Sequence, residues 1–112
     1  MKTFQTKIII VDHDEKLHLA YKSFLKEDER YKLLGIYKSI NELLSNLGKV
    51  NPDIIISEAS LQGISGIDGI DYIRKRKGHV KILIMSYEND FNLVREAFKK
   101  EANGYLSKPM NK

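Results

Sequence analysis

The stretch Pro52-Asp53-Ile54-Ile55-Ile56-Ser57-Glu58-Ala59-Ser60-Leu61-Gln62-Gly63-Ile64-Ser65-Gly66 decides the fold. Three consecutive isoleucines, Ile54 to Ile56, read as a short strand buried on both faces. The run ends in Glu58, a loop rich in Ser and Gly follows, and an amphipathic segment begins after Gly66. The order is strand, loop, helix. In an open parallel sheet, ligands collect just past the carboxyl ends of the strands, so Glu58 stands where chemistry is expected. A second strand, Lys7 to Val11, ends the same way in Asp12-His13-Asp14. Two strand ends therefore deliver acidic groups to one crevice.

Working outward, Asp14 can cap a helix whose apolar positions are Leu17, Ala20, Tyr21, Phe24 and Leu25. The charged run Lys26 to Arg30 is a solvated turn, and Tyr31 to Tyr37 is a strand. Ser39-Ile40-Asn41-Glu42 has the form of a capping box and opens a helix over Ile40 to Leu47, which Gly48 stops. A helix from about Gly66 to Lys75 carries the stripe Ile67, Ile70 and Ile73, and Val80 to Met85 is the next strand, ending at Ser86. Asn89 or Asp90 caps a fourth helix with apolar positions Phe91, Val94, Ala97 and Phe98. Asn103-Gly104 turns into a last strand, Tyr105 to Ser107, followed by Lys108-Pro109. Strands alternate with helices throughout, which predicts a parallel sheet with right-handed crossovers. Five strands call for helices on both faces, and only four helices are readable. The chain is expected to be an excerpt of a longer protein that lacks a last helix, or to be covered there by another surface.

At 112 residues the chain is expected to be one domain over 1–112. It has no cysteine, which excludes disulfides and thiolate metal sites. Its aliphatic runs are far below the ~20 residues of a membrane span. The beginning of the chain shows no signal-peptide apolar region, so a cytoplasmic location is expected. The net charge of +4 comes from scattered basic residues and is weak support for nucleic-acid binding. Arg74-Lys75-Arg76-Lys77 falls at a helix C-terminus, where cations complement the helix dipole. Gly63, Gly66 and Gly69 do not have the spacing of a dinucleotide-binding loop.

Four strand ends carry polar groups: Asp12, His13 and Asp14; Glu58; Ser86; and Lys108. Carboxylates, a hydroxyl and a lysine at one sheet edge suit Mg²⁺ and a phosphoryl group, because Mg²⁺ takes hard oxygen ligands and lysine supplies a cation for phosphate oxygens. From Lys7 to Pro109 the sequence resembles the receiver domain of bacterial two-component response regulators. Val11-Asp12-His13 is similar to the family's strand-one acidic pair, and Pro52 to Glu58 to its phosphoacceptor strand. Gly66 is similar to the glycine that opens helix three. Ser86 stands at the Ser/Thr switch position, Tyr105 at the aromatic switch position, and Lys108-Pro109 at the phosphate-contacting lysine and its proline. The resemblance implies a flavodoxin-like, doubly wound α/β fold with strand order 2-1-3-4-5, and a cis bond between Lys108 and Pro109. It also implies a phosphorelay role in which Ser86 and the ring of Tyr105 swing inward when a kinase phosphorylates the acceptor. Implied partners are a histidine kinase or phosphotransfer protein and a C-terminal output domain of helix-turn-helix DNA-binding type; self-association into a homodimer is expected separately, from apolar side chains such as Leu17 and Leu106 left without cover where the last helix is lacking.

The departures fall on the chemistry. The acceptor position is Glu58 in place of Asp, the second metal-ligand position is His13, and Gln62 stands where the family has proline. Asp12, His13 and Glu58 occupy the metal-ligand positions, and the two changes count against Mg²⁺ and against ordinary phosphorylation. The expectation is a degenerate switch that acts as a conformational or interaction module and is not an enzyme. In it, His13 is lodged as a cation among Asp12, Asp14 and Glu58. A second reading is a Mg²⁺-dependent phosphatase of the haloacid-dehalogenase type, which Asp12-His13-Asp14 also resembles, with Asp12 as nucleophile and Asp14 as general acid/base. Against it, Lys16 stands where that family prefers Thr or Val, and no later acidic pair completes a metal site.

Overall fold

A computed structural model describes residues 4–87 and 91–108. The elements run β1 (Thr6–Val11), α1 (Glu15–Lys26), β2 (Tyr31–Tyr37), α2 (Ile40–Leu47), β3 (Ile54–Glu58), α3 (Gly66–Arg76), β4 (Lys81–Ser86), α4 (Phe91–Lys99) and β5 (Gly104–Ser107). All neighbouring strands are parallel, in the order β2-β1-β3-β4-β5. This is the flavodoxin-like, doubly wound sheet expected from the sequence, with helices on both faces.

Short polar signals fix the helix ends. Asp14 accepts the Lys16 N–H at 3.0 Å and starts α1. Ser39 Oγ accepts the Glu42 N–H at 3.1 Å, while Glu42 Oε1 reaches back to the Lys38 N–H at 2.7 Å. The capping box thus forms with its return bond one residue earlier than its simplest version. Ser65 caps α3 through the Asp68 N–H. Gly66 allows that helix to start hard against β3, since a Cβ there would lie 1.7 Å from the Glu58 carbonyl oxygen. The expected cap at Asn89 or Asp90 and the expected cis bond at Lys108-Pro109 lie outside the described residues.

The sheet's two faces are covered unequally. Ile9, Val11, Ile55, Ile82 and Ile84 join Ile40, Leu43 and Leu47 of α2, Ile67, Ile70 and Ile73 of α3, and Ala97 of α4 in one large core. On the other face Ile8, Ile10 and Met85 form a small cluster, to which Tyr21 and Leu25 of α1 contribute part-buried side chains.

Three expectations need correction here. The central strand is not buried on both faces: Ile55 and Ser57 are buried, whereas Ile54 and Ile56 lie under α1 and keep partial exposure. On α1, Leu17, Tyr21 and Leu25 turn inward, four residues apart, while Ala20 and Phe24 are exposed, Phe24 by 77%. On α4 the inward positions are Leu93, Val94 and Ala97, and Phe91 and Phe98 are exposed. The helical period admitted more than one stripe, and contact with the sheet selected the narrower one. Arg74 is also more than a helix-end cation. Its guanidinium donates to the carbonyls of Gly78, Val80 and Glu101 and to Asn103 Oδ1, tying α3 to the starts of β4 and β5.

Candidate functional site

The site grows out of the sheet's alternation. Residues two apart on a strand share a face. Asp12 continues the register of Ile8 and Ile10, Glu58 that of Ile54 and Ile56, and Lys108 that of Leu106. Where these strands emerge at their carboxyl ends, the apolar cluster under α1 gives way to a charged one.

Lys108 lies at its centre. Its ammonium donates to Asp12 Oδ2 and to Glu58 Oε2, both at 2.9 Å. All three residues are buried, Asp12 to 0%, Glu58 to 4% and Lys108 to 7% exposure. The same ammonium sits 4.7 Å from the centroid of the Tyr87 ring, close enough for cation–π attraction. Glu58 Oε1 accepts the His13 backbone N–H at 2.8 Å and faces His13 Nδ1 at 2.7 Å. A carboxylate only accepts, so Nδ1 carries the proton in this contact. The His13 side chain is 63% exposed and closes the cluster toward solvent.

Asp12 is equally engaged. Its Oδ1 accepts the Asp14 N–H at 2.9 Å, and its Oδ2 accepts the Tyr21 hydroxyl at 2.6 Å as well as Lys108. Its backbone carbonyl lies 2.7 Å from His18 Nε2. Burial raises the Asp12 carboxyl, but the hydrogen bonds from Tyr21, Lys108 and the Asp14 N–H outweigh it and hold the group below its ordinary value. Burial lowers Lys108, yet its bonds to Glu58 and Asp12 leave it above the ordinary lysine value. Tyr21 is pushed up by burial and by its bond to the Asp12 carboxylate, so it remains a donor. The cluster joins two carboxylates to an ammonium, an imidazole N–H, a phenol and two backbone amides.

The structure thus brings Asp12, His13, Glu58 and Lys108 together, with the ligating atoms of Asp12, His13 and Glu58 within 4.8 Å of one another. His13 pairs with Glu58, as the sequence led us to expect. Asp14 is not part of that pairing, because its carboxylate is occupied in capping α1. Ser86 is buried at the end of β4, where its carbonyl accepts the Lys108 N–H at 2.7 Å. The Tyr105 ring packs against the large core, and its hydroxyl is buried there without a hydrogen-bond partner. The neighbouring cleft, whose walls include Lys38, Ser39 and Leu61, takes only His13 from the charged cluster.

Sequence reasoning missed Tyr21, His18 and Tyr87. Tyr21 had been placed only on an apolar face. The signal was available: a tyrosine on an inner stripe usually finds a partner for its hydroxyl. Helical side chains lean toward the helix N-terminus, and here that direction leads to Asp12.

Comparison with known proteins agrees with this geometry. Residues 8–112 match the family model described as response regulator receiver domain. A probable transcriptional regulatory protein, SgaR of Hyphomicrobium methylovorum, is 30% identical over 102 residues, which are 91% of this chain and 48% of that protein. The transcriptional regulatory protein LnrK of Bacillus subtilis is 27% identical over 105 residues, 94% of this chain and 48% of that protein. The chain spans about half the length of these curated relatives. Among solved structures, the signal receiver domain of the putative response regulator NarL from Mycobacterium tuberculosis superposes with a TM-score of 0.88. The match covers 97% of this chain and 88% of that one at 16% identity, a likeness of fold.

Proposed function

The chain belongs to the response regulator receiver domain family, and from that premise we propose that it is a receiver whose phosphate switch has been replaced by a built-in ion cluster. It works as a conformational or interaction module and not as an enzyme. The observation that carries this reading is the state of Glu58 at the acceptor position. Both of its oxygens already accept protein donors, Oε1 from His13 and Oε2 from Lys108. A nucleophilic carboxylate needs a free oxygen aligned with phosphorus, and a misplacement of ~1 Å can cost about a hundredfold in rate. Glu58 carries its carboxylate one methylene further out than the family's Asp.

The donor set also counts against Mg²⁺. That ion takes near-octahedral oxygen ligation. Here the group beside the two carboxylates is an imidazole, and a lysine ammonium bridges the carboxylates from 2.9 Å. Lys108 supplies positive charge within the protein. With Lys108 drawn onto Glu58 and Tyr105 packed inward, the domain rests in one conformer that needs no phosphoryl group. The surface of α4 and β5, where Phe91, Phe98 and Leu106 are exposed, then presents a constant face to its partner. By analogy with the regulators it resembles, that partner is a DNA-binding output domain of helix-turn-helix type in the same polypeptide, or a second copy in a homodimer. Input from a histidine kinase or phosphotransfer protein reaches it by docking and not by phosphoryl transfer. The setting is the cytoplasm; no described helix is long and apolar enough to cross a membrane.

The test is incubation with a small-molecule phosphodonor and Mg²⁺, read by intact mass. The parent chain should gain no phosphoryl group, Glu58→Asp little, and Glu58→Asp with His13→Asp measurably more. Stable incorporation on the parent, mapped to Glu58, would overturn the reading.

A further inference from the structure

Tyr21 takes no part in the mechanism above, yet it makes one of the shortest side-chain contacts in the cluster. Its hydroxyl donates to Asp12 Oδ2 at 2.6 Å, on the oxygen that also receives Lys108 at 2.9 Å. The other oxygen, Oδ1, is taken by the Asp14 N–H. Asp12 is completely buried, so solvent supplies none of its hydrogen bonds. Tyr21 is held from above by α1, and its hydroxyl also lies 3.8 Å from Met85 Sδ, over the apolar cluster.

We infer that Tyr21 is a positioning residue of this site: with Lys108 it fills the coordination of Asp12 using the protein's own donors and so closes the acidic cluster to divalent cations. The inference rests on the ion-cluster reading of the site and adds to it the residue that keeps the cluster shut. A cation entering between Asp12 and Glu58 must displace Lys108 from both carboxylates and Tyr21 from the same Asp12 oxygen. Lys108, with its side chain 5% exposed, bridges both carboxylates. Tyr21, part-buried against the apolar cluster, donates to the same Asp12 oxygen from α1. Replacing it with phenylalanine keeps the ring and removes only the donor.

The experiment titrates Mg²⁺ calorimetrically into the parent and into Tyr21→Phe. The parallel readout is Mn²⁺-induced broadening of the backbone amide resonances of residues 12–14 and 58. The parent is expected to show no saturable Mg²⁺ binding at millimolar concentrations and no broadening selective for those amides. Tyr21→Phe should bind Mg²⁺ at least about tenfold more tightly than the parent, the scale of one hydrogen bond to a charged group, with broadening centred on Asp12. Saturable binding by the parent would overturn the inference. So would a Tyr21→Phe variant that is destabilised yet no better at binding, since that is the mark of a merely structural tyrosine. Should Tyr21→Phe not fold, Tyr21→Leu, which also removes the hydroxyl, goes through the same titration, and a folded Tyr21→Leu that binds no better than the parent would overturn the inference. Mg²⁺ binding by a parent that still takes up no phosphoryl group would sink this inference and leave the proposed function standing; phosphoryl uptake on Glu58 would remove the proposed function itself.

Discussion

On one face of the sheet, α2, α3 and α4 bury Ile9, Val11, Ile55, Ile82 and Ile84 until none is exposed; on the other, among the described residues, α1 lies over Ile8, Ile10, Ile54, Ile56 and Met85 and has no buried residue of its own. The strands are the same, so the difference comes from what each face is given to pack against. The fully covered face is bound by apolar area, which is non-directional and tolerant of small shifts. The thinly covered face adds directional bonds at its upper end, where Asp12, Glu58 and Lys108 continue the register of its isoleucines and Tyr21 and His18 fasten α1 to Asp12. Among the described residues, directional bonds therefore join α1 to this face, and they lie at the site.

The largest expected effect separates the faces by packing. Ile70→Ala, in the three-helix core, should cost about 4 kcal/mol, whereas Leu25→Ala under α1 should cost about 1–2 kcal/mol because the site was never fully closed. Urea unfolding of both variants measures the gap, and equal losses would erase the distinction drawn above. Next comes Lys108→Met, which leaves Asp12 and Glu58 buried without their cation and should cost about 3 kcal/mol at neutral pH.

Acid tests the same cluster from the other side. The folded-state value of Asp12 lies below 3.8, so its contribution is present above the unfolded value and is lost as pH falls through the folded one. Lys108 is raised above 10.5, so its contribution is complete below the unfolded value and is lost only as pH rises through the folded one. In Lys108→Met the unpaired carboxylates favour protonation. The stability gap between parent and variant should therefore narrow as pH falls below about 4. A gap that stays constant between pH 7 and pH 3 would show that Lys108 acts there by packing alone.

The order of elements was legible because each boundary has a local chemical cause. Asp14 and Ser39 cap their helices, and Gly66 sits where no Cβ fits against Glu58. The strand ends were legible for the same reason: an isoleucine run that stops in a carboxylate marks both the end of a strand and the mouth of a crevice. The extent of burial was not. Ile54 and Ile56 carry the same side chain as Ile55, and only the unequal layering of helices makes them different. The choice of stripe on α1 and α4 depended on that layering too. Tyr21 escaped notice because its ring satisfied the apolar pattern and its hydroxyl answers to Asp12, nine residues away along the chain in the turn after β1.

Two smaller substitutions sharpen the comparison at its margins. Tyr105 faces the well-covered side, and its hydroxyl is buried there without a partner. Tyr105→Phe removes an unsatisfied polar atom and should stabilise the domain by about 1 kcal/mol. Phe24 lies outermost on the thinly covered side at 77% exposure. Little of its ring leaves water on folding, so Phe24→Ser should change the unfolding free energy of dilute protein by less than about 0.5 kcal/mol. If a homodimer uses this face, the same substitution should lower association at high concentration, read by sedimentation velocity, while the dilute stability stays put. A loss of ~2 kcal/mol in dilute solution would mean that Phe24 is covered within a single chain, and the contrast between the two faces would then be smaller than the packing around α1 indicates.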